Sequence, residues 1–168
     1  MELDKAEKLA RRLMKHHGLQ EWTFVFDKAV VRFGCCNYRK KQISLSKELV
    51  LINNLKDVKD TILHEIAHAL VGPKNGHNWV WRQKAIEIGC DGNRCYSLKS
   101  VKSVVGKLSA KCDVCGSVFF RHKKPSVKLR CSIDCLIKSY TGSYLYFSKH
   151  NNYISQNQNN FKRPIVFE

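Results

Sequence analysis

Residues 56–77 read KDVKDTILHEIAHALVGPKNGH, and the periodicity of this stretch decides the fold around it. Ile62, Leu63, Ile66, Ala67, Ala69 and Leu70 surround two histidines four positions apart, so a core helix is expected over about Lys56–Val71. Gly72-Pro73 ends it, and Asn75-Gly76 continues the turn. Residues four apart share a helix face, so His64 and His68 can present two imidazoles to one tetrahedral zinc. Glu65 then lies beside the open position, placed to act as a general base on water. Helix histidines set among so many apolar residues are poor candidates for casual surface groups.

Outward from this helix the pattern is α+β. Leu3, Ala6, Leu9, Ala10, Leu13 and Met14 recur at helical spacing before Gly18, which predicts an amphipathic helix over 2–17. Trp22–Phe26 and Val30–Cys36 are rich in aromatic and β-branched residues, and the polar turn Asn37–Lys41 precedes Gln42–Leu45; a small antiparallel sheet fits. Ser46 can cap a short helix through Leu51, broken from the next by Asn53-Asn54. His77–Ile88 reads as a further helix, stopped by Gly89. The expected domain, residues 1–105, has helices packed on a small antiparallel sheet.

From 106 to 148 the pattern changes. Cys112-x-x-Cys115 and Cys131-x-x-x-Cys135, with 15 residues between the pairs, have the spacing of a structural zinc ribbon. Four thiolates leave no open coordination position, so this metal is expected to fold the module rather than catalyse. A basic hairpin is expected between the cysteine pairs. Lys111, just before it, and its Arg121, Lys123, Lys124, Lys128 and Arg130 could contact phosphates, and Phe119 and Phe120 could stack on unpaired bases; the alternative is that both phenylalanines are ribbon core. Tyr140, Tyr144, Tyr146 and Phe147 read as a packing strip, and Cys35, Cys36, Cys90 and Cys95 as small buried hydrophobes. Residues 149–168, with their Asn- and Gln-rich stretch, read as a flexible tail.

The 168 residues suit one principal core with a small appendage, and 43% hydrophobic against 26% charged residues marks a folding chain. A net charge of +16 favours a polyanionic partner, and from Lys99 to Arg130 nine basic residues face one acid, Asp113. No apolar run is long enough to span a bilayer, and the N-terminus is charged rather than signal-like, so no membrane association is expected. Cysteines paired at metal-ligand spacing suit a reducing, intracellular location, in the cytoplasm or nucleoid or in a nucleus.

Two residues could complete the helix site: His77, nine positions after His68, and Glu87, nineteen after it. Position 74 is lysine, which excludes the metzincin pattern. The stretch His64-Glu65-Ile66-Ala67-His68-Ala69-Leu70, then Gly72-Pro73, Gly76-His77 and Trp81, resembles the SprT-like metalloprotease family, relatives of Spartan. The likeness continues through Gly89-Cys90, Arg94-Cys95-Tyr96 and the four ribbon cysteines. It implies a zincin-like domain, His77 as the third ligand, Trp81 packing one turn beyond it, and no ligand role for Glu87. It also implies one catalytic and one structural Zn2+, and as substrates proteins bound or crosslinked to DNA, hence a place in DNA repair. Asn78 departs from the family's usual glycine, which bears on pocket shape.

The leading expectation is therefore a DNA-associated zinc endopeptidase. A noncatalytic DNA-binding zinc protein is the rival from another class, and a peptidase acting on free protein is a third reading. The presence of Glu65 favours an enzyme, because a purely structural site needs ligands but no base.

Overall fold

The computed structural model describes residues 1–94, 101–131 and 144–149, together with the backbone of 165–166. The chain divides into two compact units, Met1–Val104 and Val105–Glu168.

The first unit opens with α1 (Leu3–His16), whose buried Ala6, Leu9, Ala10 and Met14 form one stripe against the core. Three strands follow: β1 (Thr23–Asp27), β2 (Gly34–Asn37) and β3 (Gln42–Ser46). Their spatial order is β1-β3-β2. The hairpin β2–β3 is antiparallel, pairing Gly34 with Leu45 and Asn37 with Gln42, but β1 lies parallel to β3, with Thr23 opposite Gln42 and Asp27 opposite Ser46. The sheet is thus mixed rather than antiparallel. Burial explains the order: Ile43, Ser44, Leu45 and Ser46 of β3 are all buried, so the strand takes the centre, whereas β1 and β2 carry exposed residues suited to edges.

The second predicted strand is also shorter than expected, because residues 28–33 form a loop. Asp27 organises it, accepting from the Ala29 amide at 2.9 Å, the Ser44 hydroxyl at 2.7 Å and the Arg32 guanidinium at 2.8 Å. Phe33 then turns into the core.

Ser46 ends β3 and caps α2 (Lys47–Ile52), its hydroxyl accepting from the Leu49 amide at 3.1 Å. Asn54 caps α3 (Leu55–Val71) in the same way, accepting from Asp57 at 3.0 Å. Val58, Ile62 and Ile66 of α3 face the core shared with α1 and the sheet; Leu63 and Ala67 face a second cluster with Trp81 and Ala85 of α4 (Trp79–Glu87). A helix buried on both sides cannot shift without opening one of them, and truncating Ile66 to alanine should cost about 2–5 kcal/mol.

The second unit is built from β4 (Leu108–Lys111), β5 (Val118–Arg121), β6 (Leu129–Arg130), β7 (Tyr144–Leu145), β8 (Ser148–Lys149) and β9 (Ile165–Val166). They form two three-stranded sheets, β5-β4-β8 and β7-β6-β9, with every pairing antiparallel. Residues 119–129 are therefore not a hairpin. The hairpin is β4–β5, with Cys112 and Cys115 at its turn, and the basic segment leads from β5 in one sheet to β6 in the other. Ala110, Cys112, Phe119, Leu129, Cys131 and Leu145 make the core. Most of the expected tail lies outside the described residues, but Lys149 belongs to β8, and Ile165 and Val166 pair with Arg130 and Leu129.

Candidate metal centre

Helical spacing brings His64 and His68 to one face of α3, and the α3–α4 connection delivers the third histidine. Gly72 adopts a φ of 81°, which a side chain would resist, and turns the chain out of the helix. Asn75 donates from its side chain to the Val71 carbonyl at 2.6 Å, and the Asn78 amide donates to the Asn75 carbonyl at 2.9 Å. Asn78 is the N-cap of α4, accepting from the Trp81 amide at 3.1 Å. The departure from the expected glycine thus has a structural task that the N-cap preference for asparagine makes legible.

This network places His77 so that the three Nε2 atoms form a triangle: His64–His77 3.0 Å, His68–His77 3.0 Å and His64–His68 3.3 Å. Three neutral rings meeting at one point cannot satisfy each other by hydrogen bonds, since each offers one in-plane donor or lone pair there. A cation accepts all three lone pairs. Bonds of about 2.0–2.1 Å to tetrahedral zinc set neighbouring nitrogens about 3.3–3.4 Å apart, close to the triangle's edges. Burial, and then the neighbouring histidines, push His64 and His68 down to about 4, and burial lowers His77, so the rings favour the unprotonated ligand form. Trp81, 1% exposed, stacks on His68 with ring centroids 5.1 Å apart and meets His64 and His77 edgewise at 4.6 Å. Tyr38 holds the backbone below, its hydroxyl donating to the His68 carbonyl at 3.1 Å.

Glu65 is 7% exposed, and the same cavity of about 450 Å³ is lined by it, the three histidines and Gly34–Cys36 of β2. Burial raises its carboxyl to about 7, against the opposing pull of Arg32 and a hydrogen bond from the Cys36 backbone. Glu87, the other candidate ligand, is instead exposed and paired with Lys84 at 2.6 Å. Sequence reasoning missed the contribution of β2. Cys35 and Cys36 are half-buried and line this cavity, and burial pushes the Cys36 thiol up to about 12. Cys90 is buried as expected, and lies in a group with Asp60 and Asp91. Cys95 lies outside the described residues.

In the second unit Cys112, Cys115 and Cys131 converge, with the Cys115 and Cys131 sulfurs 3.6 Å apart, near the roughly 3.8 Å expected of two thiolates on one tetrahedral zinc. The turn is closed by the Gly116 amide donating to the Cys112 carbonyl at 2.8 Å, with Gly116 at a φ of 70°. Cys135 and Tyr140 lie outside the described residues.

The expected nucleic-acid residues divide. Phe119 is 1% exposed and packed in the core, so it has no face to offer a base; Phe120 is half-buried. Lys111, Lys123, Lys124 and Lys128 are exposed and Arg121 half-buried. Arg130 lies over the Tyr144 ring, 4.4 Å from its centroid, and donates to its hydroxyl. The aromatic surface sits elsewhere: in 144–146 Leu145 turns inward and Tyr146 is 80% exposed, beside a groove of about 290 Å³ lined by Lys124, Lys128, Tyr144 and Phe147. Strand alternation around Leu145 was the available signal.

No described helix is long and apolar enough to cross a membrane. No curated protein matches the chain, and no solved structure does. A model of the SprT-like family, which is associated with zinc-metallopeptidase-like proteins, matches residues 4–100. The second unit lies beyond that match. Since the match runs from the first helix past the histidine triangle and takes in more than half of the chain, the protein belongs to the SprT-like family.

Proposed function

We propose that the chain is a zinc-dependent endopeptidase of the HExxH type, with a zincin-like first unit and a zinc ribbon as the second. The observation that carries this reading is the Nε2 triangle of His64, His68 and His77 sharing a cavity with the buried Glu65 carboxylate. The histidines would hold the ion through Nε2. When bound, zinc supplies a Lewis acid that polarises a peptide carbonyl and acidifies water. Glu65 takes a proton from the attacking water at its carboxylate and returns it to the departing amine; a carboxyl raised to about 7 can both accept and give a proton near neutral pH.

The substrates we propose are proteins bound or crosslinked to DNA, which would place the enzyme in DNA repair. The +16 net charge, the exposed lysines of the second unit and the Tyr146 groove support this. Cys112, Cys115, Cys131 and Cys135 would hold the second, structural zinc.

The test incubates the full chain with a DNA-binding protein, with and without DNA, beside a Glu65→Gln control. Cleavage that needs Glu65 and rises with DNA supports the whole reading. Glu65-dependent cleavage indifferent to DNA would leave a peptidase of free protein, and DNA binding without cleavage would leave a noncatalytic zinc protein.

A further inference from the structure

We infer that Gly34 is a positioning residue for Glu65: the side chain missing from the edge strand β2 is the space the Glu65 carboxyl occupies. This rests on Glu65 being the general base proposed above.

Gly34 opens β2, where a residue with a side chain would ordinarily serve, so its lack of one calls for a reason. Backbone conformation supplies none, because Gly34 is not among the residues at positive φ. Space does. A Cβ at position 34 would lie 2.6 Å from Glu65 Oε1, 2.8 Å from Cγ and 3.0 Å from Cδ. All three closest atoms belong to one side chain. The strand cannot withdraw to make room, since Gly34 is paired with Leu45, which is wholly buried in the central strand. Nor can α3 withdraw, being packed on both faces. The part left to move is the Glu65 side chain, which would lose its place in the cavity and its hydrogen bond from the Cys36 backbone. Glu65 and the strand beside it are therefore one device: β2 sets the carboxyl's position relative to the histidines.

The inference is tested with Gly34→Ala, Glu65→Gln, Glu65→Ala and the double variant Gly34→Ala/Glu65→Ala, all in the full chain. Cleavage of fluorescein-labelled casein in the presence of single-stranded DNA is followed alongside zinc content and thermal unfolding. Gly34→Ala should lower kcat about 100-fold, the scale of an ångström-sized misplacement, with KM and zinc content unchanged. It should also lower Tm when Glu65 is present and leave Tm unchanged in the Glu65→Ala background, where the added methyl meets no carboxyl. Wild-type kcat in Gly34→Ala overturns the inference, and so does an equal Tm loss in both backgrounds, which would make Gly34 a feature of the strand alone. If Gly34→Ala does not fold, folding of the double variant supports the inference and its failure overturns it. Undiminished cleavage by Glu65→Gln would instead remove Glu65 as the base, and the Tm comparison would still decide whether Gly34 makes its space.

Discussion

The histidine group and the cysteine group each bring their donor atoms within 4.8 Å of one another, but by opposite means. His64, His68 and His77 are grouped around the buried Trp81, held by a helix buried on both faces and a capped turn. They open on a cavity of about 450 Å³. Cys112 and Cys131 are themselves core residues, packed with Phe119 and Leu129. On the proposed reading, a metal there would supply stability that a small core lacks. The first arrangement is then expected to keep its shape without its ion and the second to lose it. Catalysis needs the former, because the space for substrate has to keep its shape between one turnover and the next.

The largest effect is expected at the open site. Glu65→Gln should lower cleavage about 10²–10⁴-fold while zinc content and Tm stay near wild type, because the amide preserves shape and cannot accept the proton. Cleavage by this variant at the wild-type rate would break the catalytic half of the comparison.

Next comes Cys131→Ser, which removes one buried donor of the closed site. Zinc content should fall from two ions per chain to one, with new protease-sensitive sites confined to 105–168, read by metal analysis and limited proteolysis. An unchanged stoichiometry in folded protein would show that Cys131 is not needed to hold the second ion.

A smaller effect is expected from the surface of the second unit. Tyr146→Ala should weaken single-stranded DNA binding by about 1–3 kcal/mol, the usual worth of one stacked base, with zinc content unaltered. Arg121, Lys123 and Lys124 changed together to glutamate should instead flatten the salt dependence, by about 0.7–0.9 in slope for each phosphate no longer neutralised. If Tyr146→Ala binds as well as wild type, the groove is a packing feature.

The smallest effect is in pH-dependent stability of metal-free protein. His64 and His68 sit near 4 when folded against 6.5 unfolded, so their contribution is fully present above 6.5 and lost as pH falls towards 4. Glu65 acts with the opposite sign: raised to about 7 from 4.5, it favours the folded state below 4.5 and loses that contribution as pH rises through 7. Tm of the chelator-treated protein should therefore climb more steeply between pH 4.5 and 7 in Glu65→Gln than in wild type. Parallel curves would mean that Glu65 titrates normally.

The α3 helix, its flanking caps and the pairing of His64 with His68 follow from the sequence, because helical period and N-cap chemistry are local properties of a few consecutive residues. Ser46, Asn54 and the stop at Gly72 belong to the same class, and so does the knuckle around Cys112 and Cys115. Tertiary structure decided what depends on chain segments distant in sequence. The parallel placement of β1 beside β3 arose from competition for the buried centre of the sheet, which no single strand's pattern reveals. That His77 rather than Glu87 lies beside His64 and His68 depended on the path of the α3–α4 turn, and the inward turn of Phe119 with the outward turn of Tyr146 depended on which strands paired. Gly34 is the clearest case: its sequence neighbours give no reason for a glycine in a strand, and the reason appears only when α3 brings the Glu65 carboxyl to within 2.6 Å of the place a Cβ would take.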